Sequence, residues 1–98
     1  MKRPKSDIPP GVIEQLVSEY KKDGALIYHR ITDCFLNGRL VGRRSYTQDG
    51  KLVRETPLKD GQKHGREYTW NDDGTLLSLE PFVQGKLHGT ARQYGAGG

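Results

Sequence analysis

The sequence predicts an all-β protein, an elongated antiparallel meander of β-hairpin repeats, and two recurring elements carry that expectation. An aromatic-x-x-Asp-Gly-x-Leu element occurs at Tyr20–Leu26, Tyr46–Leu52 and Trp70–Leu76, at spacings of 26 and 24 residues. A second element, Phe/Leu-x-x-Gly-x-x-x-Gly, runs between those copies at Phe35–Gly42, Leu58–Gly65 and Phe82–Gly89. Self-similarity at so short a period marks one supersecondary unit that buries its apolar face only by stacking on its neighbours.

Taken in chain order, residues 1–10 read as a flexible leader and residues 11–98 as the repeat module. Residues 12–20 fit two structures. Val12, Ile13, Leu16, Val17 and Tyr20 line one face of a helix, with Pro9-Pro10 ahead and Gly24 just past its end. Gly11 also precedes Tyr20 by nine residues, as Gly61 precedes Trp70 and Gly85 precedes Tyr94, which suits a degenerate opening repeat. A short N-terminal helix capping the open edge of the first strand is the favoured expectation.

Beyond that point the turns set the architecture. Residue-Gly pairs fall at Asp23-Gly24, Asn37-Gly38, Asp49-Gly50, Asp60-Gly61, Asp73-Gly74 and Gln84-Gly85, 11 to 14 residues apart. Such pairs tolerate the positive φ angles of tight hairpins, so Asp49 and Asp73 are expected to share the unusual backbone of the glycines that follow them. The segments between are rich in β-branched and aromatic residues: Leu26–Ile31, Arg44–Thr47, Lys51–Arg54, Arg66–Trp70, Thr75–Leu79 and Thr90–Tyr94.

The second glycine of each pair, Gly42, Gly65 and Gly89, lies inside a strand, where glycine costs stability. An aromatic such as Tyr46, Trp70 or Tyr94 lying across the bare backbone would explain it. Pro57 and Pro81 recur as well, with Cys34 at the equivalent place before Phe35. Proline cannot donate to a sheet ladder, so a bulge or strand end is expected there.

Composition limits what such a module does. The chain has 98 residues, of which 33% are hydrophobic, too little for a large enclosed active site. No apolar stretch is long enough to cross a bilayer as a helix, and no apolar run follows the charged start. The lone cysteine, Cys34, cannot form an internal disulfide, which suits the cytoplasm. The net charge of +4 is uneven, because Arg39 to Arg66 holds eight Lys/Arg against three acids. That excess suits either a solvated strand face or attraction to an acidic partner.

Catalytic and metal-binding constellations are weak. His64 and His88 sit one repeat apart, and two strand spacings of roughly 9 to 10 Å are too wide for one zinc ion. Cys34 has no orienting third residue for nucleophilic work, and Asp72-Asp73 reads as a turn former. The glycines lack the strand, Gly-rich loop and helix order of a nucleotide site. No enzyme activity, metal or cofactor is expected.

Gly-x-x-His-Gly followed by an aromatic, then Asp-Gly-x-Leu, resembles the variant MORN repeat (membrane occupation and recognition nexus) over roughly Phe35 to Gly98. Val41 departs from it by replacing the histidine. The resemblance implies a single-layer meander with a twisted, grooved surface, and it associates the chain with protein scaffolding, lipid contact and bacterial proteins labelled antitoxins. Gly38, Gly42, Gly50, Gly61, Gly65, Trp70, Gly74, Gly85, Gly89 and Tyr94 are its repeat-structural positions. The chain stops inside a predicted turn, at Tyr94-Gly-Ala-Gly-Gly98, as an array cut short at its C-terminus would. The expected function is non-catalytic macromolecule binding, with a protein partner favoured. The alternative is acidic phospholipid or nucleic acid on a basic stripe. Partner-binding candidates are Arg43, Arg44, Tyr46, Arg66, Tyr68 and Arg92.

Overall fold

The hairpin turns come in two geometries, and the two sequence elements correspond to them. A computed structural model describes residues 5–19, 21–23 and 26–94. Its strands are β1 (Ile13–Ser18), β2 (Lys21–Asp23), β3 (Leu26–Tyr28), β4 (Arg30–Leu36), β5 (Arg39–Tyr46), β6 (Leu52–Lys59), β7 (Gln62–Lys63), β8 (Gly65–Trp70), β9 (Leu76–Val83), β10 (Lys86–Leu87) and β11 (Arg92–Gln93). Nine of them form one antiparallel sheet in the order β1-β4-β5-β6-β8-β9-β10, with β7 on β6 and β11 on β9. β2 pairs with β3 as a separate two-stranded ribbon.

Two-residue loops close the Phe/Leu element. Leu36 faces Arg39, Lys59 faces Gln62 and Val83 faces Lys86 across them. Both loop residues have positive φ: Asn37 and Gly38 at 53° and 78°, Asp60 and Gly61 at 53° and 79°, Gln84 and Gly85 at 52° and 80°. That is the type I′ turn, whose twist matches the strands it joins. Three-residue loops close the aromatic element. Gly50 donates its amide to Thr47 O at 2.9 Å and Gly74 to Asn71 O at 3.0 Å, and Tyr46 faces Leu52 as Trp70 faces Leu76. Here only the glycine takes positive φ, so the expectation for Asp49 and Asp73 is corrected. A type I turn followed by a left-handed glycine needs one unusual residue, where a type I′ turn needs two.

The strand glycines mark bulges. Between the Leu58–Lys63 and Glu55–Tyr68 pairs, His64 to Glu67 span only Thr56 and Pro57, with the His64 amide donating to Pro57 O at 3.1 Å, and His88 donates to Pro81 O at 2.9 Å. In the first copy Val41 is the extra residue, between the Phe35–Leu40 and Cys34–Gly42 pairs. Each proline or Cys34 therefore lies opposite an irregularity where the partner strand carries extra residues, as its recurrence predicted. The aromatic cover expected over these glycines is absent. A Cβ on Gly42 would overlap Ile8, one on Gly65 would lie 2.9 Å from Pro57 Cγ and 3.2 Å from Asp7, and one on Gly89 would meet only Pro81 at 3.7 Å. Tyr68 and Trp70 instead stack on each other, with centroids 5.5 Å apart.

Residues 13–18 form a strand where a helix was favoured, and no helix occurs among the described residues. β1 pairs with β4 from Ile13–Phe35 to Ser18–Ile31. The helical periodicity had no core to face: Ile13, Leu16 and Val17 stay 70%, 48% and 53% exposed, and the free edge of β4 supplies ladder bonds instead. Past it, Asp23 faces Leu26 across residues 24–25, which lie outside the described residues, as does Tyr20.

Residues 5–8 lie on the sheet, with Ile8 only 3% exposed. The molecule measures 38 × 32 × 27 Å, less elongated than a flat meander, because a short twisted array curls on itself. Buried apolar residues are few, and Thr32, Ser45, Glu55, Thr56, Glu67 and Thr69 are buried beside them.

Candidate binding face and its N-terminal strap

Strand pleat and register place one row of side chains across the sheet: Leu16, Thr32, Arg44, Glu55, Tyr68, Leu79 and Arg92, each opposite the next. Cys34, Gly42 and Pro57 form a second row on this front face, and Tyr46 and Arg66 share it. The back face carries Asp33, Arg43 and Thr56 in one row and Ser45, Arg54, Thr69 and Ser78 in another. Five of the six partner-binding candidates thus share one face, while Arg43 lies behind and pairs with Asp33 at 2.8 Å.

Charge on the front face is organised around three carboxylates. Glu14 accepts hydrogen bonds from Thr32 Oγ1 at 2.6 Å, the Tyr46 hydroxyl at 2.5 Å and Arg44 Nη1 at 3.2 Å. Burial by itself would raise the Glu14 pKa, and those bonds together with the Arg44 charge bring it below the usual carboxylate value. Tyr46 moves the other way, through burial first and then the adjacent Glu14 carboxylate. Glu55, 3% exposed, accepts from Arg44 Nε at 3.0 Å and from Ser6 Oγ at 2.5 Å. Desolvation alone would weaken the proton on Arg44, and the Glu55 carboxylate outweighs it, so Arg44 is held charged.

Asp7 is the third. Arg66 donates Nε to one of its oxygens at 2.9 Å and Nη2 to the other at 2.6 Å, while the Arg66 amide donates at 2.8 Å. This fork pulls Asp7 below its ordinary pKa and raises that of Arg66. Arg66 also lies over the Tyr68 ring, 5.9 Å from its centroid. Tyr68 itself is 1% exposed, so it supports the face from within and is not a contact residue; its buried hydroxyl has no hydrogen-bond partner among the described residues.

Residues 5–8 thus form a strap with four attachments: the Lys5 carbonyl on Arg66, Ser6 on Glu55, Asp7 on Arg66 and Ile8 on Gly42. Beside it, Lys5, Ile8, Pro9, Pro10, Val12 and Arg44 line an open cleft of about 450 Å³. Sequence reasoning missed Ser6, Asp7, Ile8, Glu14 and Glu55. The available signal was a single branched aliphatic residue, Ile8, in a leader made mostly of charged residues and prolines.

Among the described residues no group of His, Cys, Asp or Glu is placed to hold a metal ion, and no helix is long and apolar enough to cross a membrane. His64 Nδ1 accepts from the Gln84 amide at 3.4 Å, a contact between neighbouring hairpins. Cys34 is fully buried, and that burial pushes its thiol up to about 11. Comparison with protein families, with curated proteins and with solved structures finds no match to this chain.

Proposed function

We propose that this chain is a non-catalytic protein-binding module, a MORN-variant repeat whose front face grips a partner polypeptide in a scaffolding or antitoxin-like role. One observation carries the preference for a protein over an acidic polymer or lipid: four basic residues, three of them partner-binding candidates, are already answered by carboxylates. Arg43 pairs with Asp33, Arg44 with Glu14 and Glu55, Lys63 with Glu67 and Arg66 with Asp7, at 2.6 to 3.2 Å. A polyanion would have to displace these carboxylates one by one, whereas a surface of mixed, paired charge suits the polar rim of a protein interface.

Binding to RNA, anionic vesicles and host proteins, compared at low and high salt, tests this. Retention of a protein that survives added salt and is lost in Arg66→Glu supports the reading. Salt-sensitive binding to RNA or vesicles that disappears in the Arg43→Glu/Arg66→Glu variant overturns it in favour of the polyanion.

A further inference from the structure

The strap lies across the front face, and its contacts spell out a recognition chemistry. Asp7 receives a two-pronged guanidinium and an amide from Arg66, an arrangement matched to a carboxylate on an extended chain. The next residue, Ile8, fills the space left by the missing side chain of Gly42. The preceding hydroxyl of Ser6 donates to Glu55. Acid and aliphatic sites one residue apart, with a hydroxyl site just before them, form a linear reading frame.

Resting on the protein-binding reading above, we infer that the front face is a receptor for an extended partner segment with an aspartate followed by a branched aliphatic residue, and that Ser6–Ile8 occupies this receptor as an internal competitor. The sites lie on sheet strands, so they persist when the strap leaves. The glycine at 42 and the bulge at Gly65 are then features of the receptor. Gly65 has φ of 117°, and its bulge turns the Arg66 amide out toward Asp7. Tethered in the same chain, the strap acts at high effective concentration, so an outside segment competes only when it binds better or is itself tethered nearby.

A fluorescent peptide with the sequence of residues 5–10 is the probe, titrated against the full chain and its Asp7→Ala/Ile8→Ala variant, with folding checked by amide NMR. The expected result is binding to the variant at least about tenfold tighter than to the unaltered chain, abolished by adding Arg66→Ala. If the double variant does not fold, Ile8→Ala, which empties the space beside Gly42 and leaves the receptor itself unaltered, takes its place with the same expectation. Absence of peptide binding to the folded variant overturns the inference, as does binding that is equal in both chains or indifferent to Arg66. Passing host extract over the same proteins separates the two claims. A protein retained through Arg66 without peptide binding leaves the module reading standing and removes the acidic–aliphatic motif; retention of neither removes both.

Discussion

Asp7 holds Arg66 from 59 residues away, and it takes up both the guanidinium and the backbone amide of that residue. The amide is available because the bulge at His64-Gly65 interrupts the ladder just before it, and the carboxylate supplies the acceptor that the ladder does not. Residues 5–8, which belong to no strand, are thereby tied to the middle of the sheet.

The tie is pH-dependent, and the sign follows from the depressed Asp7 pKa. A carboxylate that ionises more readily when folded contributes fully above its unfolded value, near 3.8, and the contribution is lost as pH falls through the lower folded value. The strap is expected to stay docked across neutral pH and to undock in acid. The Arg66 amide resonance should move over that interval in the native chain and not in Asp7→Asn. Because the pair is partly solvated, Asp7→Ala should cost no more than about 1 kcal/mol of global stability.

Substitutions at the strand glycines should separate by mechanism. Gly65 combines φ of 117° with Pro57 and Asp7 at 2.9 and 3.2 Å, so Gly65→Val should be the most damaging, at about 3 kcal/mol. Gly42 has an ordinary backbone, and a methyl there meets Ile8; its cost should approach the burial of that side chain, about 2 kcal/mol. Gly89 has room but φ of 91°, which limits Gly89→Ala to about 1 kcal/mol. Thermal melts that rank these variants otherwise would refute the account.

Much of the sheet was legible because its signals are local. Asn37-Gly38 and Asp60-Gly61 mark tight turns through their own backbone preferences, although the same Asp-Gly pair at 49–50 and 73–74 closes the other loop type, and Pro57 and Pro81 announce a bulge by lacking an amide proton. What was hidden depends on contacts distant in sequence. Nothing next to Asp7 in the chain indicates Arg66, and nothing near Gly42 indicates Ile8. Residues 13–18 show the same limit in reverse: their periodicity is helical, and pairing with Thr32 to Phe35 overrides it. Arg44, Tyr46, Arg66 and Tyr68 were found together because strand alternation is readable, whereas their carboxylate partners Glu14 and Glu55 were not.

The two loop types make opposite demands on the residue before the glycine. Gln84 sits at φ of 52° with a side chain poorly suited to the left-handed region, so Gln84→Asn should stabilise the chain by about 0.5 kcal/mol. Asp73 has no such demand. Its carboxylate accepts the Thr75 amide at 2.8 Å, which also lowers its pKa, and Asp73→Ala should therefore lose amide protection at Thr75 while Asp72→Ala does not. Protection changes spread evenly over the chain in both variants would contradict the assignment.

Cys34 offers a direct probe of the strap. It is fully buried, its thiol is pushed up to about 11, and it faces Gly42 across the ladder. At pH 8 only about one thiol in a thousand is ionised at that pKa, so a disulfide reagent should modify the folded chain very slowly. Gly42 has no side chain to shield its neighbour, and Ile8 fills that space. Ile8→Ala should therefore speed modification several-fold without lowering the melting temperature enough for global unfolding to account for it. Arg43→Ala, on the back face, should leave the rate unchanged. Equal rates in Ile8→Ala and the unaltered chain would mean that the sheet alone closes over Cys34 and that the strap is not its cover.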